Sequence, residues 1–90
     1  MKNMYEIKAV LENLSDLLRQ GERENWADVF DKSAAEFEFD SAAASAKIIS
    51  MYGGMGSFND VILYKKGRLL LAENGELDAL RDRLFYLCSM

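Results

Sequence analysis

Tyr52-Gly53-Gly54-Met55-Gly56-Ser57-Phe58-Asn59-Asp60 decides how the fold is read, because it holds three of the six glycines and separates two kinds of hydrophobic pattern. Before it, apolar residues recur at steps of three and four, the spacing of a helix face. After it, Val61-Ile62-Leu63-Tyr64 is a β-type run and Leu69-Leu70-Leu71-Ala72 answers it across Lys65-Lys66-Gly67-Arg68. The stretch thus predicts a switch from helix to hairpin. The whole chain reads as α+β and mostly α: three N-terminal helices, a glycine-rich loop, a two-stranded β-hairpin and a C-terminal helix, in a single domain over residues 1–90.

Working back from the loop, Ser41 to Tyr52 is alanine-rich and follows Asp40, a good N-cap, so a third helix is expected with Ala44, Ile48, Met51 and Tyr52 facing inward. Glu22 to Phe39 carries Trp26, Val29, Phe30, Ala34 and Phe37 at helical spacing, although Phe37-Glu38-Phe39-Asp40 alternates and suits an extended piece as well as a last turn. Asn3 to Gln20 has the most regular stripe, Met4, Ile7, Val10, Leu11, Leu14, Leu17 and Leu18. Asn3 and Glu6 predict a capping box at its start, and Gly21 a left-handed exit at its end. Forward from the loop, glycine at 67 suits positive φ in the hairpin turn and Asn74-Gly75 reads as a strand breaker. Leu77, Leu80, Leu84, Leu87 and Cys88 then line a final helix.

A chain of 90 residues buries only about 60 to 65% of its unfolded surface, so association would help it. The hairpin needs helices beneath it or a second sheet beside it, which makes homodimerisation through its edge a structural option. Fifteen acidic against eleven basic residues leave a formal charge of −4, which opposes nucleic-acid binding over the whole surface. One cysteine excludes an internal disulfide, and neither a signal pattern nor an apolar run near 20 residues is present, so a cytoplasmic protein without a membrane segment is expected.

The glycines invite comparison with phosphate-binding loops, but those lead from a strand into the N-terminus of a helix. Here a helix ends into the loop and presents its negative dipole end. The expected roles are therefore structural: Gly53, Gly54 and Gly56 set backbone shape, Met55 and Phe58 pack down, and Tyr52 turns inward. Ser57, Asn59 and Asp60 close the loop on itself or face a partner.

Histidine is absent, Cys88 has no activating neighbour in sequence, and acids such as Glu36 and Glu38 lie on helices rather than in a glycine-bearing loop. No catalytic residue, cofactor site or metal site is expected. Charge distribution is more telling: seven acids, Glu22, Glu24, Asp28, Asp31, Glu36, Glu38 and Asp40, against Arg23 and Lys32 leave residues 22–40 at −5. Lys47, Lys65, Lys66 and Arg68 against Asp60 leave residues 41–72 at +3. The acidic segment is either a solvated face or a surface that steers a basic partner and occupies the place of phosphates in a nuclease cleft.

The Tyr-Gly-Gly-Met-Gly-Ser-Phe-Asn-Asp string of residues 52–60, followed by Val61-Ile62-Leu63, resembles a family of small, functionally uncharacterised bacterial domains in which a helical part leads through such a loop into a short hairpin. In size, acidity and lack of catalytic residues the chain is also similar to immunity proteins of bacterial toxin systems, including contact-dependent growth inhibition. That likeness implies a non-enzymatic cytoplasmic inhibitor of a cognate toxin, with the seven acids as the contact surface. The alternatives are a homodimeric scaffold or regulatory module and a small-ligand sensor built on the glycine loop.

Overall fold

The computed structural model describes residues 3–53 and 56–90, so the expected roles of Gly54 and Met55 lie outside the described residues. Among these, the chain forms α1 (Met4–Gln20), α2 (Glu24–Glu36), α3 (Ser41–Ile49), a short 3₁₀ turn (Phe58–Asp60), the strands β1 (Tyr64–Lys65) and β2 (Arg68–Leu69), and α4 (Leu71–Ser89). The architecture is mostly α with a small antiparallel hairpin, as the sequence predicts. Helix α1 lies against both α2 and α4, and α3 packs on α4. Ile7, Leu11, Leu14, Leu18, Phe30, Ile48, Phe58, Leu63, Leu77 and Leu84 are fully buried in one continuous core.

Two predicted caps form: Asn3 Oδ1 accepts from the amide of Glu6, and Asp40 Oδ1 from the amide of Ala43, each at 3.0 Å. The carboxylate of Glu6 does not serve a capping box; it pairs with Arg83 of α4. The exit from α1 also differs. Gly21 has φ −90° and it is Glu22, at φ +61°, that takes the left-handed position. The amides of Glu22 and Arg23 close back on the carbonyls of Arg19 and Leu18, the paired bonds of a Schellman ending. Glycine is needed one residue earlier because Gly21 is buried against the side chain of Leu63.

Helix α2 consequently begins at Glu24 rather than Glu22. It ends at Glu36, and Phe37 to Asp40 continue as turns, so a wound last segment prevails over an extended piece. Phe37 is buried there while Phe39 is 90% exposed. Helix α3 stops at Ile49, three residues short of expectation, and two further turns carry the chain to Gly53.

The hairpin is shorter than its sequence suggests. Only Tyr64 pairs with Leu69 and Lys65 with Arg68, across the two-residue turn Lys66-Gly67. Both turn residues have positive φ, 51° and 79°, the type I′ geometry that suits the twist of the strands. Val61 and Leu63 are buried, as alternation requires; the Leu63 carbonyl accepts from the Leu70 amide at 3.1 Å, and a side chain completes the bonding of this backbone. Asn74 Oδ1 accepts from the Leu63 amide at 2.8 Å, and Asn74 Nδ2 donates to the Leu63 carbonyl at 3.0 Å and to the Leu70 carbonyl at 2.8 Å. Asn74-Gly75 therefore does not break a strand. It lies in the first turns of α4, where the asparagine serves the Leu63 amide and shares the Leu63 carbonyl with the Leu70 amide.

Candidate functional site

Phe58 is the hub of the loop. Its ring is fully buried and meets Phe30 at 4.7 Å, Trp26 at 5.3 Å and Tyr52 at 5.6 Å between centroids, so the expected plug is in place. Gly53 and Gly56 have φ of +86° and +75°. Asp60 Oδ2 accepts from the Gly56 amide at 2.7 Å and Ser57 Oγ from the Asn59 amide at 3.3 Å, so Asp60 and Ser57 close the loop locally.

Arg81 of α4 holds the far side of this loop, and no local sequence signal marks it. Its Nη1 donates to the carbonyls of Phe58 at 2.8 Å, Val61 at 3.0 Å and Asn59 at 3.3 Å; its Nη2 pairs with Asp78, and its guanidinium lies 5.6 Å from the centre of the Phe58 ring. Tyr52 returns the contact by donating its hydroxyl to the Arg81 carbonyl at 2.8 Å. Burial pushes the Tyr52 phenol above its ordinary range, with Cys88 and Asp82 adding to the push.

Beside the loop lies an open cleft of about 550 Å³ lined by Ile49, Tyr52, Gly53, Asn59, Asp82 and Phe85. Tyr52 and Phe85 meet edge to face at 5.0 Å. Three separate segments build this cleft, and the sequence reading anticipated only its loop side.

The seven acids of residues 22–40 stay at the surface, but each has an intramolecular contact. Glu24, Asp28 and Asp31 converge on the guanidinium of Arg19 at 3.3, 3.1 and 2.7 Å. Ser15 Oγ donates to Asp31 at 2.6 Å, and this bond, with Arg19 second, holds the Asp31 carboxyl below its usual range. Glu36 pairs with Lys47 at 3.2 Å and Glu38 with Lys8. Glu22 accepts from the Lys66 amide at 2.9 Å, and Asp40 caps α3. Lys8, Arg19 and Lys47 reduce the −5 of this segment to −2. The structure thus gathers three carboxylates around one arginine and spreads the other four along the edges of α2 and α3.

A second exposed feature was not singled out as a site by the sequence. Ile62, Tyr64, Leu69 and Leu71 alternate with the buried Val61 and Leu63 and the half-buried Leu70, and all four are 42–76% exposed on the outer face of the hairpin. Among the described residues no group of three metal-ligating side chains converges, and no helix is long and apolar enough to cross a membrane.

A family model described as a domain of unknown function (DUF6966) matches residues 19–71, from Arg19 through the loop and hairpin to the first residue of α4. No curated protein and no solved structure matches the chain.

Proposed function

The chain belongs to the DUF6966 family of domains of unknown function, and on that premise we propose that it is a non-enzymatic, immunity-type protein of the cytoplasm that binds and occludes a basic partner protein, a toxin domain of nuclease type. The observation that carries this reading is the array around Arg19. Three carboxylates held by one guanidinium keep a net negative charge in fixed positions on an exposed face. Fixed charges of one sign steer a basic partner and lose little freedom on binding. Nucleic acid and membranes are poor partners for such a face.

The test is co-expression with the C-terminal domain encoded by the reading frame immediately upstream, followed by binding at rising salt. Asp28→Lys with Glu36→Lys is expected to lower affinity at least about tenfold while the helical circular dichroism is kept. Unchanged affinity would remove the α2 face from the interface, and absence of any complex with that domain would remove the inhibitor reading.

A second reading, a homodimeric module, is supported by the outer hairpin face of Ile62, Tyr64, Leu69 and Leu71. Two such faces related by a two-fold axis would cover one another. Sedimentation across a hundredfold range of concentration separates the two readings, because a monomer throughout excludes the dimer.

A further inference from the structure

We propose that the cleft between the glycine loop and α4 is a receptor for a cationic side chain, arginine or lysine, carried by the partner protein. Its identity as a protein contact rests on the partner-binding reading above; its preference for a cation does not.

The size is sufficient. At about 550 Å³ the cleft falls inside the roughly 300–1,000 Å³ of ordinary ligand sites and exceeds what one side chain needs. Its chemistry selects charge. Asp82 stands on its wall, and among the described residues this carboxylate has neither an ion-pair nor a hydrogen-bond partner. The acids of α2, by contrast, are each engaged within the molecule. Ile49, the last residue of α3, brings the negative end of that helix to the same place. Lys47, the cation in the last turn of α3, is turned to Glu36.

Shape adds to charge. Tyr52 and Phe85 present aromatic rings to the cleft, and ring faces attract guanidinium and ammonium groups. Asn59 belongs to the same lining. Arg81, a cation beside Asp82 in sequence, does not oppose a guest. Its guanidinium is bound to the carbonyls of Phe58, Asn59 and Val61 and to Asp78, and it lines a different depression, beside Ile62 and Leu69. An arginine inserted here would be anchored in the manner of the buried arginines that dominate many interfaces.

The experiment needs no partner. ¹⁵N-labelled protein is titrated with N-acetyl-arginine amide, N-acetyl-lysine amide and, as an uncharged control, N-acetyl-glutamine amide, and amide shifts are followed. Saturable shifts centred on Gly53, Asn59, Asp82 and Phe85 are expected for the two cations and not for glutamine. Asp82→Asn should weaken them about fivefold or more, and Asp16→Asn, on α1 and outside the cleft, should leave them unchanged. Shifts centred on the Arg19 array, shifts undiminished in the Asp82 variant, or no localised shifts would overturn the proposal. Because the readout is partner-free, loss of the inhibitor reading leaves a positive titration standing. A negative titration leaves binding through the α2 face standing.

Discussion

A Cβ placed on Gly21 would lie 2.5 Å from Cδ2 and 2.7 Å from Cβ of Leu63, although Gly21 itself has an ordinary backbone conformation. The residue is glycine because of what passes over it. Gly21→Ala is therefore expected to cost about 1–3 kcal/mol through overpacking. The cost should shrink in part in a Leu63→Ala background, since alanine removes the Cδ2 contact and keeps the Cβ contact. Glu22→Gly is expected to lie within about 1 kcal/mol of wild type, because relief of the positive φ offsets the lost bond to Lys66 and a floppier unfolded chain. Urea denaturation of the four variants measures all of this.

Asn74 completes the pairing of the Leu63 backbone that the Leu70 amide begins. Asn74→Ala leaves the part-buried Leu63 amide without its acceptor, and a loss of about 2–4 kcal/mol is expected. Asn74→Asp should be no better, because a carboxylate cannot donate to the Leu63 and Leu70 carbonyls. Thermal unfolding of both variants decides the point.

Nη1 of Arg81 meets three carbonyls while Nη2 holds Asp78, and a single lysine ammonium cannot serve both sets from one nitrogen. Arg81→Lys is expected to cost about 1–3 kcal/mol and to speed hydrogen exchange at Gly56 and Val61 more than at the centre of α1. Uniform exchange changes across the chain would show that the arginine does not act through the loop.

Ser45 Oγ is buried with no hydrogen-bond partner among the described residues. Ser45→Ala removes an unsatisfied hydroxyl and installs a better helix former, so a gain of about 0.5–1.5 kcal/mol is expected. A loss of stability in the alanine variant would mean that the hydroxyl is satisfied in solution.

Asp31 gives stability its slope in acid. Its folded carboxyl is held below the unfolded value of 3.8, so as pH falls the unfolded chain takes up the proton first. The stabilisation is complete above that value and is lost as pH drops toward the folded pKa. Between about pH 5 and pH 2 wild type should lose more stability than Asp31→Asn, whose side chain does not titrate. Parallel urea midpoints for the two proteins across that range would contradict the assignment.

Helix identity and two of the caps were legible because they are local: a stripe of apolar residues, and Asn3 and Asp40 placed before it. Several of the misreadings share one cause. Gly21 and Asn74 both answer to Leu63, which lies outside their own helical turns, so a glycine looked like a helix exit and Asn-Gly like a strand breaker. The glycine loop was legible as a reversal and Phe58 as its plug, but Arg81 was not, because an arginine on an exposed-looking helix carries no pattern of its own. The cleft was hidden for the same reason: Ile49, Asp82 and Phe85 meet only after α3 and α4 pack.

The sole thiol of the chain sits on the core side of α4, with Cys88 only 3% exposed. That helix also carries Asn74, Arg81 and Arg83, the residues that fasten the hairpin, the loop and the start of α1. The rate at which a thiol reagent modifies Cys88 is therefore a clock for the undocking of α4. It times, from one intrinsic atom, how often the last turns of that helix leave the core.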